Sequence, residues 1–235
     1  MTLTQPPAQP NRRGSRAGLA LVLVLAAALS SMAGCWVPAL IGGMAQSAHD
    51  TGSSLKYAEY EDLAGHNYAV VIQTTRGIAG EYPQLVGVLT NAVSKRMIGA
   101  NDKIQATGVV PGPRVLEFQY ATPRWEAWTY GKVAEHLGVT RLIIVDVHEF
   151  RLYEPGNRYV WNGRAGVRVG VVEAEDPGAV DFSFTKDFYI PFPDDVGYTQ
   201  NDMSTAVVIA NLQERVANRV AWLFFDHDEP NRIEY

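Results

Sequence analysis

LGVTRLIIVDVHEFRL, residues 137–152, decides the fold. Leu137 closes a stretch with helical spacing that Thr122-Pro123 opens as N-cap and first helical residue. Gly138 is the residue type that stops a helix in a left-handed turn. Arg141–Leu152 then runs as a strand rich in β-branched residues, so helix, glycine and strand follow one another as an α/β unit.

Downstream, YVWNGRAGVRVGVV (159–172) carries the clearest pattern in the chain. Tyr159, Trp161, Gly163, Ala165, Val167, Val169 and Val171 take alternate positions without a polar exception, with Asn162, Arg164 and Arg168 between them. Period two is the side-chain period of a strand. Asp176-Pro177-Gly178 supplies a turn. The return arm places Val180, Phe182, Phe184, Phe188 and Ile190 on one face, with Lys186 as the exception, and Asp181, Ser183, Thr185 and Asp187 on the other. The two arms read as a long β-hairpin.

Outward from this centre, Asn67–Thr74 (NYAVVIQT) has the length of a buried strand. Pro83 opens a helix whose apolar face is Leu85, Val86, Leu89, Val93 and Met97 and which Gly99 stops. Ile104–Val109 reads as a short strand. Ser204 caps a last helix with a stripe of Val208, Leu212, Val216, Val220 and Phe224 and a wet face of Asn211, Glu214, Arg215 and Asn218. The predicted fold class is α/β: a single mixed β-sheet with helices packed against it, a long β-hairpin and a C-terminal amphipathic helix. No internal repeat or low-complexity block interrupts it.

Composition narrows the function classes. With 235 residues the chain suits one domain plus a tail. The 47% apolar and 19% charged content excludes a disordered chain. A net charge of −5 argues against a nucleic-acid partner. The single cysteine, Cys35, excludes an intrachain disulfide and any multi-cysteine metal site.

The N-terminus holds an address. Residues 1–17 contain Arg12, Arg13 and Arg16 and no acid, and GLALVLVLAAAL (18–29) follows as an apolar run too short to span a bilayer. Its length is that of a signal-peptide core. Met32-Ala33-Gly34-Cys35 then resembles a bacterial lipobox, with Met32 where leucine is usual. That resemblance implies diacylglyceryl transfer to the Cys35 thiol, cleavage before Cys35 and acylation of the new amine. Two or three acyl chains anchor stably where one does not. An ordinary signal peptide followed by an incidental cysteine, or an uncleaved apolar anchor, are the alternatives. Removing 1–34 takes away three arginines and no acid, so the formal charge falls from −5 to −8. Lipid rather than a basic patch is then expected to hold the protein at the membrane. Trp36 stands where an aspartate would signal inner-membrane retention in enterobacteria, which favours the outer membrane, facing the periplasm. The expected organisation is a signal peptide at 1–34, a lipidated tether at 35–54 and one α/β domain at 55–235. The patch Trp36–Met44 rests at the interface, or forms a first helix packed on the domain.

YAVVI at 68–72, LGVTRLIIVDV, the hairpin VRVGVVEAEDPGAVDF and the closing helix together resemble the envelope-lipoprotein fold of the curli-secretion lipoprotein CsgG, the penicillin-binding-protein activator LpoB and the N-terminal domain of TolB. The resemblance covers about 67–225. It is one of element pattern, and it carries no functional residue across. YEDLAGHNYAVVI is also similar to the start of uncharacterised lipoproteins of planctomycete-type bacteria.

Chemistry-bearing motifs are sparse. The sequence has no G-x-G-x-x-G, no G-x-x-x-x-G-K, no G-x-S-x-G and no H-E-x-x-H. Asp146 and His148 share a strand face and are the nearest approach to an acid–base or metal pair; local hydrogen bonding at a strand end is the plainer reading. Asp226-His227-Asp228-Glu229 lacks the spacing and the glycine of a calcium loop and reads as a solvated acidic helix end. His49, His66 and His136 have no partner pattern. Trp125 and Trp128 share a helix face with Tyr130 nearby, as core or as a partner site. Tyr57 and Tyr60 are expected to pack on the domain. No catalytic residue, metal or cofactor is expected. The expected function is a non-enzymatic envelope lipoprotein that binds the bilayer through acylated Cys35 and assists another envelope protein. A secretion-channel subunit using the 159–190 hairpin as membrane strands, and an envelope hydrolase or metal-binding protein, are the alternatives.

Overall fold

A computed structural model describes residues 53–230. The expected signal peptide, Cys35, the patch Trp36–Met44 and His49 lie outside the described residues. Leu55–Glu229 form one compact unit.

The strands are β1 (Ser53–Lys56), β2 (Asn67–Thr74), β3 (Gly108–Val109), β4 (Arg141–Arg151), β5 (Gly163–Glu173), β6 (Phe184–Phe192) and β7 (His227–Pro230). The α-helices are α1 (Arg76–Glu81), α2 (Leu85–Gly99), α3 (Asn101–Ile104), α4 (Gly112–Ala121), α5 (Tyr130–Leu137) and α6 (Thr205–Trp222), with a 3-10 turn at Trp125–Ala127. Five strands form a mixed sheet in the order β3-β2-β4-β5-β6, and β1 pairs with β7 in a separate two-stranded sheet. β2 runs parallel to β3 and β4, whereas β5 runs antiparallel to its two neighbours, β4 and β6. The architecture is the expected α/β one: an open mixed sheet with helices packed against it.

Strand periodicity sorts the core into two layers. Val70, Ile72, Ile143, Val145, Val147, Ala165, Val167, Val169 and Val171 face α2 and α6. Val71, Leu142, Ile144 and Val172 face α4 and α5. The stripe is buried as expected, with Val208, Leu212, Val216 and Val220 on α6 and Phe224 just past its end. Arg96 on α2 ties the two covering helices together through Asn218 and Glu214. The hairpin of the sequence is therefore part of the domain's own sheet, its odd-numbered face covered from Trp161 to Val171.

Five expectations need correction. The helix expected over 122–137 is split: α4 ends at Ala121 with Thr122 as its C-cap, a 3-10 turn follows, and Thr129, whose hydroxyl accepts from Lys132 N, caps α5. Pro123 keeps α4 from running on, because it cannot supply the N–H that a continuing helix needs. Tyr159 lies before β5 and is 84% exposed, outside the buried face to which the alternation assigned it. Tyr57 is 71% exposed, while Tyr60 is buried against Phe184 and Phe224. Arg215 is buried rather than wet: its guanidinium reaches Asp194 and the Pro191 carbonyl. The acidic run 226–229 is no helix end: α6 stops at Trp222, and His227–Glu229 lie in β7.

Tyr68 near the start of β2 is fully buried, and its hydroxyl has no hydrogen-bond partner among the described residues. Burial pushes its pKa well above the ordinary tyrosine value. An unfolded tyrosine loses its proton near pH 10, the folded one only higher, so this group's stabilisation is present below about pH 10 and is lost as pH rises. Tyr68→Phe is expected to stabilise the protein by about 1 kcal/mol at pH 7. It should also flatten the alkaline loss of stability. Urea unfolding at neutral and alkaline pH checks both, and an unchanged alkaline slope would contradict the assignment.

Candidate functional site

The layer of α4 and α5 covers only part of its side of the sheet. Beyond Ile144 that face turns polar: Asp146, His148 and Glu149 on β4, Arg164 and Arg168 on β5, Asp187 and Tyr189 on β6. A bulge builds it. The β4–β5 register shifts between Val147 and Glu149, so Val147 pairs with Val167 but Glu149 pairs with Gly166. His148 is the extra residue, and the bulge brings both His148 and Glu149 against Gly166. Bulges re-aim side chains in this manner next to functional sites.

Gly166 is the floor. A Cβ there would lie 2.7 Å from His148 Nε2, 2.8 Å from Tyr189 Cε1 and 3.0 Å from Glu149 Cβ. A larger residue there would have to push the His148 and Tyr189 rings aside. Over the glycine, His148 meets the Tyr189 ring edge-on with centroids 5.7 Å apart. The Arg164 guanidinium lies 4.2 Å from the same ring. Around them run three ion pairs: Arg151 Nε donates to Glu149 Oε1 at 2.7 Å, Arg168 Nε donates to Asp187 Oδ1 at 2.8 Å, and Arg164 Nε lies 3.6 Å from Glu149 Oε2. The hydrogen bond and charge of Asp187 push the Arg168 pKa up, with Asp146 adding to the effect. Beside β6 an open groove of about 380 Å³ is lined by Lys186, Phe188, Tyr189, Trp222 and His227 among others. Tyr189 belongs to both features.

Asp146 and His148 do share a face, as their spacing predicts, and they join this polar surface. The 226–229 run does not converge on a point. Asp226 Oδ1 accepts from Ala58 N at 2.8 Å, His227 stacks on Trp222 at 4.6 Å, and Glu229 pairs with Arg219 at 2.7 Å. Among the described residues, no group of three or more His, Cys, Asp or Glu could hold a metal ion. Trp125 and Trp128 pack on Phe118 in the second core layer, joined there by Tyr130. His136 lies against Phe118 and Trp128, and His66 bridges Thr140 and Arg141.

Glu149, Arg151, Gly166 and Tyr189 were not singled out by sequence reasoning. The usable signal was Tyr189 itself, the aromatic residue that follows Thr185 and Asp187 on the polar set of the return arm.

No protein-family model matches the chain, and no curated protein matches its sequence. Solved structures show a distant similarity. One is PelC of Paraburkholderia phytofirmans, solved as a dodecamer: 13% identity, 74% of this chain and 99% of that one covered, TM-score 0.41. Another is lipoprotein GNA1162 of Neisseria meningitidis: 13% identity, coverage of 66% and 97%, TM-score 0.37. A third is protein XCC0632 of Xanthomonas campestris: 10% identity, coverage of 71% and 85%, TM-score 0.43.

Proposed function

We propose that the protein is a non-enzymatic accessory lipoprotein of the bacterial envelope, held by acyl chains on Cys35, that binds another envelope protein through the uncovered face of β4-β5-β6. The observation that carries the binding reading is that face. A sheet side left without a helix is usually polar throughout; here a 54%-exposed tyrosine sits among three arginines and a histidine. Tyrosine and arginine are the residue types enriched at protein interfaces and their hot spots. Placement on rigid strands gives such a surface a fixed shape. The address rests on the lipobox resemblance and the apolar run before it. An outer-membrane location facing the periplasm is the finer form of the proposal, supported by Trp36.

The test is site-specific photocross-linking in living cells from position 189, with position 120 on α4 as the control. A discrete protein adduct from 189 that is absent from 120 supports the reading; equal labelling from both sites overturns it. The anchor has its own prediction. Cys35→Ala is expected to move the protein from the membrane to the soluble fraction, or to leave an uncleaved precursor. Unchanged fractionation with a mature N-terminus still at residue 35 would refute the lipid assignment.

A further inference from the structure

Two features meet at Tyr189: an arginine with exposed donors and the free edge of a strand. Arg164 Nε is buried and makes no hydrogen bond, yet the side chain as a whole is 42% exposed. Of its nitrogens only Nε is buried without a partner, so the two terminal nitrogens at the far edge of the guanidinium reach the surface. Neither has a hydrogen-bond partner among the described residues. Glu149 pairs with the guanidinium on its inner side, Oε2 lying 3.6 Å from Nε, while its Oε1 accepts from Arg151, so it forms no hydrogen bond to the terminal nitrogens. Stacking on Tyr189 holds the planar fork in one orientation, which lowers the entropy lost on binding.

Pro191 shows which way the edge strand faces. It pairs with Arg164 across the sheet, has no N–H, and its carbonyl accepts from Arg215 Nη1 at 2.9 Å. In an antiparallel ladder a proline fits only where the backbone points away from the neighbour. By period two, Thr185, Asp187 and Tyr189 also point their N–H and C=O outward, toward the groove beside β6. Pro191 and its bond to Arg215 close this edge at one end. Inward-facing Lys186, paired with Glu59 at 2.7 Å, guards it against indiscriminate pairing.

We propose that an extended segment of the partner polypeptide adds to the outer edge of β6 at Thr185–Tyr189 and places a carboxylate side chain on the exposed edge of the Arg164 guanidinium. This rests on the reading of the β4-β5-β6 face as the partner site. The fork of arginine matches a carboxylate with two parallel hydrogen bonds. Asp146, Glu149 and Asp187 nearby disfavour a doubly charged phosphate more than a single carboxylate. The free backbone edge selects a polypeptide over a small acid, because main-chain bonds supply affinity and the side-chain clamp supplies selectivity.

The experiment uses the full chain in detergent micelles. A fluorescent hexapeptide of alternating threonine and glutamate is titrated against its glutamine and lysine counterparts and followed by anisotropy. The glutamate peptide is expected to bind at least about tenfold more tightly than either counterpart. Arg164→Gln should remove that advantage with an unchanged circular dichroism spectrum, and Arg164→Lys should restore only part of it. N-methylation of alternate peptide nitrogens should abolish binding in the register that uses them. Equal affinity of the glutamate and glutamine peptides, or of wild type and Arg164→Gln, overturns the clamp. If that happens while cross-linking from position 189 persists, the partner face stands without it. Absence of both peptide binding and cross-link overturns both.

Discussion

Val167→Asp unfolds the domain. Val167 is fully buried on β5 beneath α6, opposite Val147 on one side and Phe188 on the other. The substitution removes a valine whose burial contributes about 1.5–3 kcal/mol. It also puts a carboxylate among apolar neighbours, where it is unpaired if ionised and costs several kcal/mol even when protonated. The sum is comparable with the whole stability of an ordinary domain, about 5–15 kcal/mol. Val169→Asp makes the comparison sharper. Val169 is equally buried, but Lys186 lies directly opposite it. A carboxylate there has a cation within reach, at the expense of the Lys186–Glu59 pair. The expected order of damage is Val167→Asp above Val169→Asp. Circular dichroism and thermal melting of the two variants measure it. A native spectrum and unchanged melting for Val167→Asp would remove β5 from the core and reopen its reading as a membrane strand.

The elements legible in the sequence are those whose partners share one period. β5 alternates because one side of it is buried beneath α2 and α6, β4 shows a continuous apolar run because Leu142–Val145 are covered on both sides, and α6 shows its stripe because that stripe lies on their surface. Gly138 was readable because it adopts the left-handed conformation, at φ 71°, that ends α5. Elements that depend on tertiary context were hidden. α4 has Pro111 as N-cap and Pro113 in its first turn, and only Gly112, Val115 and Phe118 are buried, too few for a clear stripe. Arg215 reads as solvent-facing by charge, yet it sits on the buried side of α6 because Asp194 and the Pro191 carbonyl await it. The long alkyl stem lets it cross apolar surface to reach them, stacking over Phe192 at 4.8 Å.

The candidate site shows the same division. Asp146 and His148 could be placed on one face by strand parity alone. Their company could not, because the bulge at His148 shifts parity and turns Glu149 toward the same face. A bulge has no signature in a run such as VDVHEF; it is set by the pairing with β5. Gly166 then occupies the one position where three side chains from β4 and β6 converge, and no local pattern distinguishes it from Gly163 or Gly170.

Gly131 is the position where the smallest added side chain is expected to do the most harm. It is the second residue of α5, and the helix meets the β5–β6 connection through it. Gly131 N donates to the Ala179 carbonyl at 2.9 Å, and Thr129 Oγ1 donates to the Pro177 carbonyl at 2.7 Å. A Cβ at 131 would lie 2.1 Å from the Asp176 carbonyl oxygen and 2.8 Å from the Pro177 carbonyl carbon and oxygen. All of these are backbone atoms, so no rotamer change relieves the clash. Either the turn at 176–179 or α5 must move, and α5 carries Val133, Ala134 and Leu137 into the second core layer. Overpacking ordinarily costs about 1–3 kcal/mol, and loss of the bond to Ala179 adds about 1. Gly131→Ala is therefore expected to lower the melting temperature by about 10 °C. Gly87, inside α2, provides the contrast: nothing lies within 4 Å of its added Cβ. Gly87→Ala should raise stability by somewhat under ~1 kcal/mol through helix propensity alone. Opposite signs for the same glycine-to-alanine change, read in paired thermal melts, separate close backbone approach from intrinsic propensity. A neutral Gly131→Ala would show that α5 does not dock on the turn through this residue.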